Sequence, residues 1–454
     1  MWKASRLLDG LVKYTLAAIM IAVPLYPKFP FIRVEGTFVA IRLEDILLLF
    51  AAIVLLIIYL SKIREFIKDK INLSILLYLS IGFISLVSAV FLTKTVVFNI
   101  GFLHWVRRIE YFIPFFLGLE AIKRRKVDLA FYINILLIVM LGIFIYGAGQ
   151  RYFGWPIIIT QNEEYSKGIA LRWLPQSHIN STFAGHYDLA SFLVLILPLL
   201  ISYFFIFKDK FKRIILLTGV LSGLWLLVNT ASRISLASYL LAVTITLFLI
   251  KKYRAIPVVI ITSIIFISFS TNLLSRYVRI IQVVKEDVKQ FNLLNYETIV
   301  SNVYALEEDI LPRRKTPSPT PTPLPVLEDR STNIRLNVEW PRAIRAYLKN
   351  PLLGTGYSSI TLATDNDYLR LLGEVGILGF IAFFMIFVNI FNKILKSYPW
   401  IKNKDQIESV FVVSMIGSFP GLLVNALFID IFEASKFAII FWLFMGITVG
   451  LCKE

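Results

Sequence analysis

The apolar residues of this chain fall in nearly unbroken blocks, such as Ile46 to Leu60 and Ile75 to Leu92, and few folds admit that pattern. A helix needs about 20 apolar residues to cross the hydrocarbon core of a bilayer, and block after block approaches that length. Helices packed on a soluble core would instead scatter their apolar residues at three- and four-residue spacing. Only 17% of the residues are charged, where a soluble domain carries about a quarter. The chain is therefore expected to be all-α, a polytopic helical membrane protein with about twelve spans. The spans are predicted near 11–26, 41–60, 71–92, 97–119, 127–148, 183–207, 212–229, 234–250, 255–273, 368–392, 407–430 and 434–451. Apolar segments continue to the C-terminus, so the first reads as a span rather than a signal peptide ahead of a soluble domain.

The formal charge of +17 raises the question of nucleic acid, and its distribution answers it. With the N-terminus inside, five short inner connections hold 19 Lys or Arg: those starting at Lys62, Lys123, Lys208 and Lys251, and the stretch from Lys393 to Lys404. The short outer connections hold about half as many over more residues, which is the positive-inside pattern. Both termini are then cytoplasmic, and no nucleic-acid partner is implied. The single cysteine, Cys452, cannot form an internal disulfide, and no Cys/His cluster has zinc-ligand spacing.

Two outer connections are long. The first, from about Gly149 to Asn180, carries Trp155 and Trp173 as interfacial anchors. The second divides the chain into a membrane region over residues 1–273, an outer segment over 274–367 and a second membrane region over 368–454. It opens with an amphipathic stretch in which Val278, Ile281, Val284, Val288 and Phe291 share a face suited to the interface. A proline-rich run over 312–325 follows and reads as an extended spacer. A second amphipathic stretch runs from Asn333 to Leu348.

Ionisable groups near the outer ends of spans are the first candidates for chemistry, because charge inside a membrane is costly. In the block from Pro351 to Phe380, Asp365, Asn366, Asp367 and Tyr368 stand at the mouth of the tenth span. A helix N-terminus there favours anions and is expected to lower the Asp365 pKa. Asp and Asn also cap helices with no further role, and the Asp-Asn-Asp triplet has the form of a metal-holding carboxylate pair, a three-residue match of little weight. Arg233 opens the eighth span on the outer side, where it either snorkels or grips phosphate in bidentate geometry. Arg172 and His178 lie in the first long outer loop, while His186, Tyr187 and Asp188 enter the sixth span as either a structural or a functional His–Asp pair. His104, Arg107, Arg108 and Glu110 lie inside the fourth span, either neutralising one another or lining an anion cavity.

Three pieces taken together resemble the O-antigen ligase and O-antigen polymerase superfamily of bacterial membrane glycosyltransferases. They are Ser232-Arg233 after a long apolar run, the STFAGHYDLASFLVLILPL block from Ser181, and the NPLLGTGYSSI…NDYLRLLGEVGILGF block from Asn350, with the large outer loop ahead of the last three spans. The resemblance implies transfer of a glycan from an undecaprenyl-diphosphate-type carrier to a hydroxyl of a glycan or lipid-linked acceptor. That transfer would occur at the outer face of the bacterial cytoplasmic membrane, among membrane lipids, with no cofactor and no metal. It implies that Arg233 and Arg172 bind diphosphate, that Asp365 or Asp367 takes the acceptor proton, and that His186, Asp188, Asn366 and Tyr368 shape the site. Where ligases of this group carry a His before the Asn-x-Tyr-Leu pattern, this chain has Asp365, so ligase and polymerase both stay open. A transporter or flippase for lipid-linked saccharide is the rival reading, and a membrane scaffold the third.

Overall fold

A computed structural model of the chain describes residues 2–29, 31–33, 40–60, 62–124, 129–158, 170–171, 177–270, 333–360, 363–397 and 406–452. Arg172, Trp173, the amphipathic stretch 273–291 and the proline-rich run 312–325 lie outside the described residues. Fourteen α-helices are present among those described. The first six are α1 (Trp2–Leu25), α2 (Leu43–Tyr59), α3 (Ile63–Lys68), α4 (Lys70–Ser88), α5 (Phe98–Lys123) and α6 (Leu129–Phe153). Next come α7 (His186–Ile206), α8 (Lys210–Asn229), α9 (Arg233–Leu249) and α10 (Ala255–Ile267), then α11 (Trp340–Lys349), α12 (Asp367–Lys396), α13 (Gln406–Ala426) and α14 (Ser435–Leu451). Every segment predicted as a span overlaps one of these helices. Seven of the helices are long and apolar enough to cross a membrane, and α9, α10 and α14 are apolar but shorter. The protein is thus an all-α, multi-pass membrane protein. Two short antiparallel ladders that periodicity did not reveal lie in the connections, pairing Ile32–Arg33 with Ala40–Ile41 and Ile157–Ile158 with Ala170–Leu171.

The centre of the bundle is α7, in which every residue from Asp188 to Tyr203 is buried. A helix apolar all round has no wet face to present, so it belongs inside. At the periphery, α10 buries only Ala255 and Ser263 and turns Val258, Ile261, Ile264 and Ile265 outward. Helices α5 and α14 pack backbone to backbone, and a Cβ at Gly446 would collide with the Phe115 carbonyl. Small residues allow that backbone approach where no hydrophobic force separates helix from lipid.

Contacts define two ends of the bundle. At one, Arg124 pairs with Asp9 at 3.0 Å, the Tyr59 hydroxyl donates to Glu120, and Lys393 faces Asp69 at 3.9 Å. At the other, Lys436 Nζ donates to the carbonyls of Pro24, Tyr26 and Thr182, gathering the end of α1 and the starts of α7 and α14. The Asp365–Asp367 turn lies at this second end.

Two departures from the periodicity reading shape that end. The span expected over 407–430 stops at Ala426, and residues 427–434 form a turn instead. Two of its amides go to one carboxylate: Ile431 N donates to Asp367 at 2.7 Å, and Phe432 N donates to the same group at 3.2 Å. In addition, α12 is broken at Gly376, whose φ of 67° lies in the left-handed region. The helical bonds lost at the break are replaced by the 351–357 turn: Thr355 N donates to Gly373 O, Gly356 N to Glu374 O and Ile377 N to Pro351 O, each within 2.9 Å. Gly354, at φ 70°, allows that turn to lie against the break, where a Cβ would strike the Glu374 backbone. Such left-handed positions cost an L-residue roughly 1–2 kcal/mol before any collision.

Candidate functional site

The site end holds a charge network and, beside it, a second constellation of polar side chains. The network is built on the first two turns of the broken helix. Arg370 and Glu374 are four residues apart on one face of α12, with Arg370 Nε 3.5 Å from Glu374. Arg370 Nη1 donates to Asp430 at 3.0 Å, and its Nε lies 3.8 Å from Glu433. From α5, Arg108 donates to Glu433 and lies 3.8 Å from Glu374. Burial works to raise the Glu433 pKa, but Arg108 and Arg370 beside it hold the carboxyl well below the usual range. Asp430 also accepts from the amides of Thr364 (2.8 Å) and Asn366 (2.9 Å), fastening the 427–434 turn to the start of α12. A cavity of about 40 Å³ remains between Arg108, Tyr357, Asp367, Glu374 and Glu433. That is room for a water molecule or so and far too little for a sugar, so the network reads as structural. Asp430→Ala is therefore expected to lower stability by on the order of 3 kcal/mol, because it strands two buried amides and part of the charge on Arg370. Melting in detergent measures this; an unchanged midpoint would show that the corner holds without Asp430.

The second constellation lies where the chain enters α12. Asp365 has φ 50°, a left-handed turn that aspartate tolerates. One of its oxygens, Oδ2, accepts from Arg335 twice, from Nε at 3.0 Å and from Nη2 at 2.7 Å. Arg335 Nη2 also donates to the Tyr187 hydroxyl at 3.2 Å. Behind Tyr187, the His186 ring lies 4.1 Å away and stacks in turn on His178 at 4.2 Å. The carboxylate keeps 18% of its side-chain surface exposed and the guanidinium 10%, so the pair is largely covered and the carboxylate is the more exposed partner. The helix-dipole expectation for Asp365 is corrected here: burial, with the charge of Asp430, raises its pKa, and Arg335 only partly offsets this. Desolvation outweighs a half-charge of dipole because the turn is folded under Arg335.

The sequence candidates separate into two groups. Asp365, with Tyr187, His186 and His178 beside it, belongs to the Arg335 constellation. Asp367 is buried and committed to the amides of 431 and 432, so it does not form a metal-holding pair with Asp365. Asn366 is the N-cap of α12, accepting from Leu369 N at 3.0 Å, and Tyr368 donates to the Leu423 carbonyl at 2.7 Å. Asp188 is buried on the other side of α7, where Lys28 and Lys436 supply the neighbouring positive charge. Residues two apart on a helix do not share a face, so the His186–Asp188 pairing gives way to two separate environments. Arg233 opens α9 at the same end, half-buried. Two residues on, Ser235 donates to Asn425, which donates to Ser191 of α7, and the Ser191 hydroxyl donates to the Tyr187 carbonyl. Arg107 lies 3.5 Å from Asp45 of α2 and 3.9 Å from Glu110 of its own helix, while Arg108 meets Glu433 and Glu374 from elsewhere in the chain.

Arg335 is the residue that sequence reading did not single out, since nothing local distinguishes it from the other arginines of the outer segment. Arg370, Glu374, Asp430 and Glu433 also went unmarked, although an Arg and a Glu four residues apart in an apolar helix are a legible sign of an intramembrane pair.

Residues 217–384 match the family model described as O-antigen ligase, just over a third of the chain. The match encloses Arg233, Arg335 and Asp365 and supports the superfamily to which the motifs pointed. No curated protein matches the chain.

Proposed function

With residues 217–384 assigned to the O-antigen ligase family, we propose that the protein is a membrane glycosyltransferase that moves a glycan from a lipid-diphosphate carrier to an acceptor hydroxyl. The carrier is of the undecaprenyl-diphosphate type, and the product is a surface polysaccharide, extended by a polymerase or attached by a ligase. The charge distribution of the loops supports both termini lying in the cytoplasm and the site end facing outward. The outer segment 274–367 then separates the two membrane regions, and its last turns carry the chemistry.

The observation that carries the reading is the Arg335–Asp365 pair, two groups of opposite charge joined beside Tyr187. Arg335 and Arg233, with Arg172 of the first outer loop, hold the diphosphate. Asp365 takes the proton of the acceptor hydroxyl, the acceptor oxygen bonds to the anomeric carbon, and the carbon–oxygen bond to diphosphate breaks with its electron pair on the phosphate. Guanidinium groups aimed at that oxygen stabilise the charge as it develops. One displacement inverts the anomeric centre. Asp365 is favoured over Asp367 as the base because the latter's oxygens are occupied by backbone amides. Arg335 donates to Asp365; a diphosphate that draws Arg335 toward itself leaves the carboxylate ready to accept.

The transporter reading draws on one observation, the break in α12, since broken helices mark many transporter sites. Proteoliposomes carrying lipid-linked donor on the face of the Asp365 turn, supplied with acceptor, separate the two. Longer or newly attached glycan is the expected result; relocation of the donor without a new glycosidic bond would replace the enzyme reading with the transporter.

A further inference from the structure

Next to Asp365, a group of buried polar atoms lacks any hydrogen-bond partner among the described residues. They are Glu339 Oε2, Trp340 Nε1, Arg342 Nη1 and Thr364 Oγ1. Three come from one turn at the start of α11, and the fourth is the residue before Asp365. Arg335, one turn earlier, reaches Asp365, and the charges of Asp365 and Asp430 both act on Glu339. Trp340 faces Phe428 of the 427–434 turn at 6.1 Å between rings. The cluster thus lies between α11, the Asp365 turn and that loop.

Buried polar atoms are nearly always paired, and leaving one unpaired costs about 1–3 kcal/mol. Four of them along α11 and the residue before Asp365 offer the polar lining that a hydroxyl-rich ligand would satisfy. The set has a definite chemistry: a carboxylate acceptor, two nitrogen donors and a hydroxyl that does both, with an aromatic ring alongside. Neighbouring hydroxyls of a pyranose offer both donors and acceptors, and the sugar's apolar C–H face suits an indole. A phosphate would meet Glu339 with repulsion, and an acyl chain would leave all four atoms unsatisfied. Burial, followed by the charge of Asp365, raises the Glu339 pKa to about 7, so near neutrality this carboxyl both donates to and accepts from hydroxyls.

We propose that Glu339, Trp340, Arg342 and Thr364 form the subsite that binds the acceptor sugar, holding the ring whose hydroxyl meets Asp365. The inference rests on the transfer reading above for the word acceptor; the binding of a sugar ring does not depend on it. Specificity for the acceptor then resides in the 339–342 turn, while the lipid-linked donor is gripped from the side of Arg335 and Arg233.

The test measures binding and kinetics separately. Oligosaccharides of one to three repeats, released by mild acid from the surface polysaccharide of cells that express the protein, are added to the full-length protein in detergent. The wild type is expected to melt several degrees higher with them, as a ligand of the native state requires. Glu339→Gln and Trp340→Phe, which retain the shape of each side chain, are expected to lose that shift while keeping the sugar-free midpoint. In the transfer assay both raise the acceptor KM by about tenfold, leaving kcat and the donor KM within twofold. Wild-type stabilisation that survives in both variants, or no stabilisation of the wild type, overturns the subsite. If one variant melts early without sugar, Arg342→Lys takes its place under the same criteria. Loss of binding in a protein that transfers no glycan would keep the sugar site and remove the transferase reading; intact binding in the variants with normal transfer would do the reverse.

Discussion

Arg335→Ala is expected to lower glycan transfer in isolated membranes by about 10²- to 10³-fold, the cost of one preorganised donor to a developing oxyanion. Protein level and melting are expected to change little, because Arg335 is tied to the Asp365 turn and Tyr187 rather than to the Arg108–Arg370 network. Arg335→Lys should recover only part of the rate, since an ammonium cannot reproduce the fork that places Nε and Nη2 on one oxygen. Arg345, exposed on the same segment, is the control and is expected to be dispensable. Full activity in Arg335→Ala would remove this guanidinium from the chemistry and leave Arg233 as the remaining described candidate.

Asp365→Asn is expected to lose about 10²- to 10⁴-fold in rate, the usual contribution of a positioned general base. Asp365→His should retain far more, because imidazole accepts a proton from the same place. The pH profile carries a second expectation, and its sign follows from the local charges. Only the ionised carboxylate accepts a proton, so the rate falls as pH drops through the Asp365 pKa. Burial and Asp430 raise that pKa above the ordinary aspartate range, so the acid limb should lie at higher pH than for an exposed aspartate. Arg335 opposes the rise, so residual activity in Arg335→Ala should show the limb displaced further upward. In Asp365→His the limb should follow imidazole. A limb that stays put in all three proteins would assign the base to another group, and Glu339 would be the first to examine.

Much of the architecture was legible because hydrophobicity acts over whole segments. A block such as Ile75 to Leu92 can satisfy its backbone in lipid only as a helix, and the helices stand where those blocks predicted them. The site was legible only to a degree. Asp365 could be marked because it interrupts the approach to an apolar block, and Arg233 because it opens one. Roles within the block were not legible, since Asp365 and Asp367 look alike two residues apart. The folded 427–434 turn separates them by presenting amides to one and not to the other.

The sequence by itself determined that the chain is a multi-pass helical membrane protein, and its motifs pointed to the superfamily whose ligase model matches residues 217–384. Both properties are carried by residues close together along the chain. Only the tertiary structure decided that Arg335 meets Asp365 and Tyr187, that α12 breaks at Gly376, and that four buried polar atoms wait beside the carboxylate. Each depends on groups from different helices arriving at one end of the bundle. Arg335 and Tyr187 are 148 residues apart, and no local pattern records a meeting over that distance.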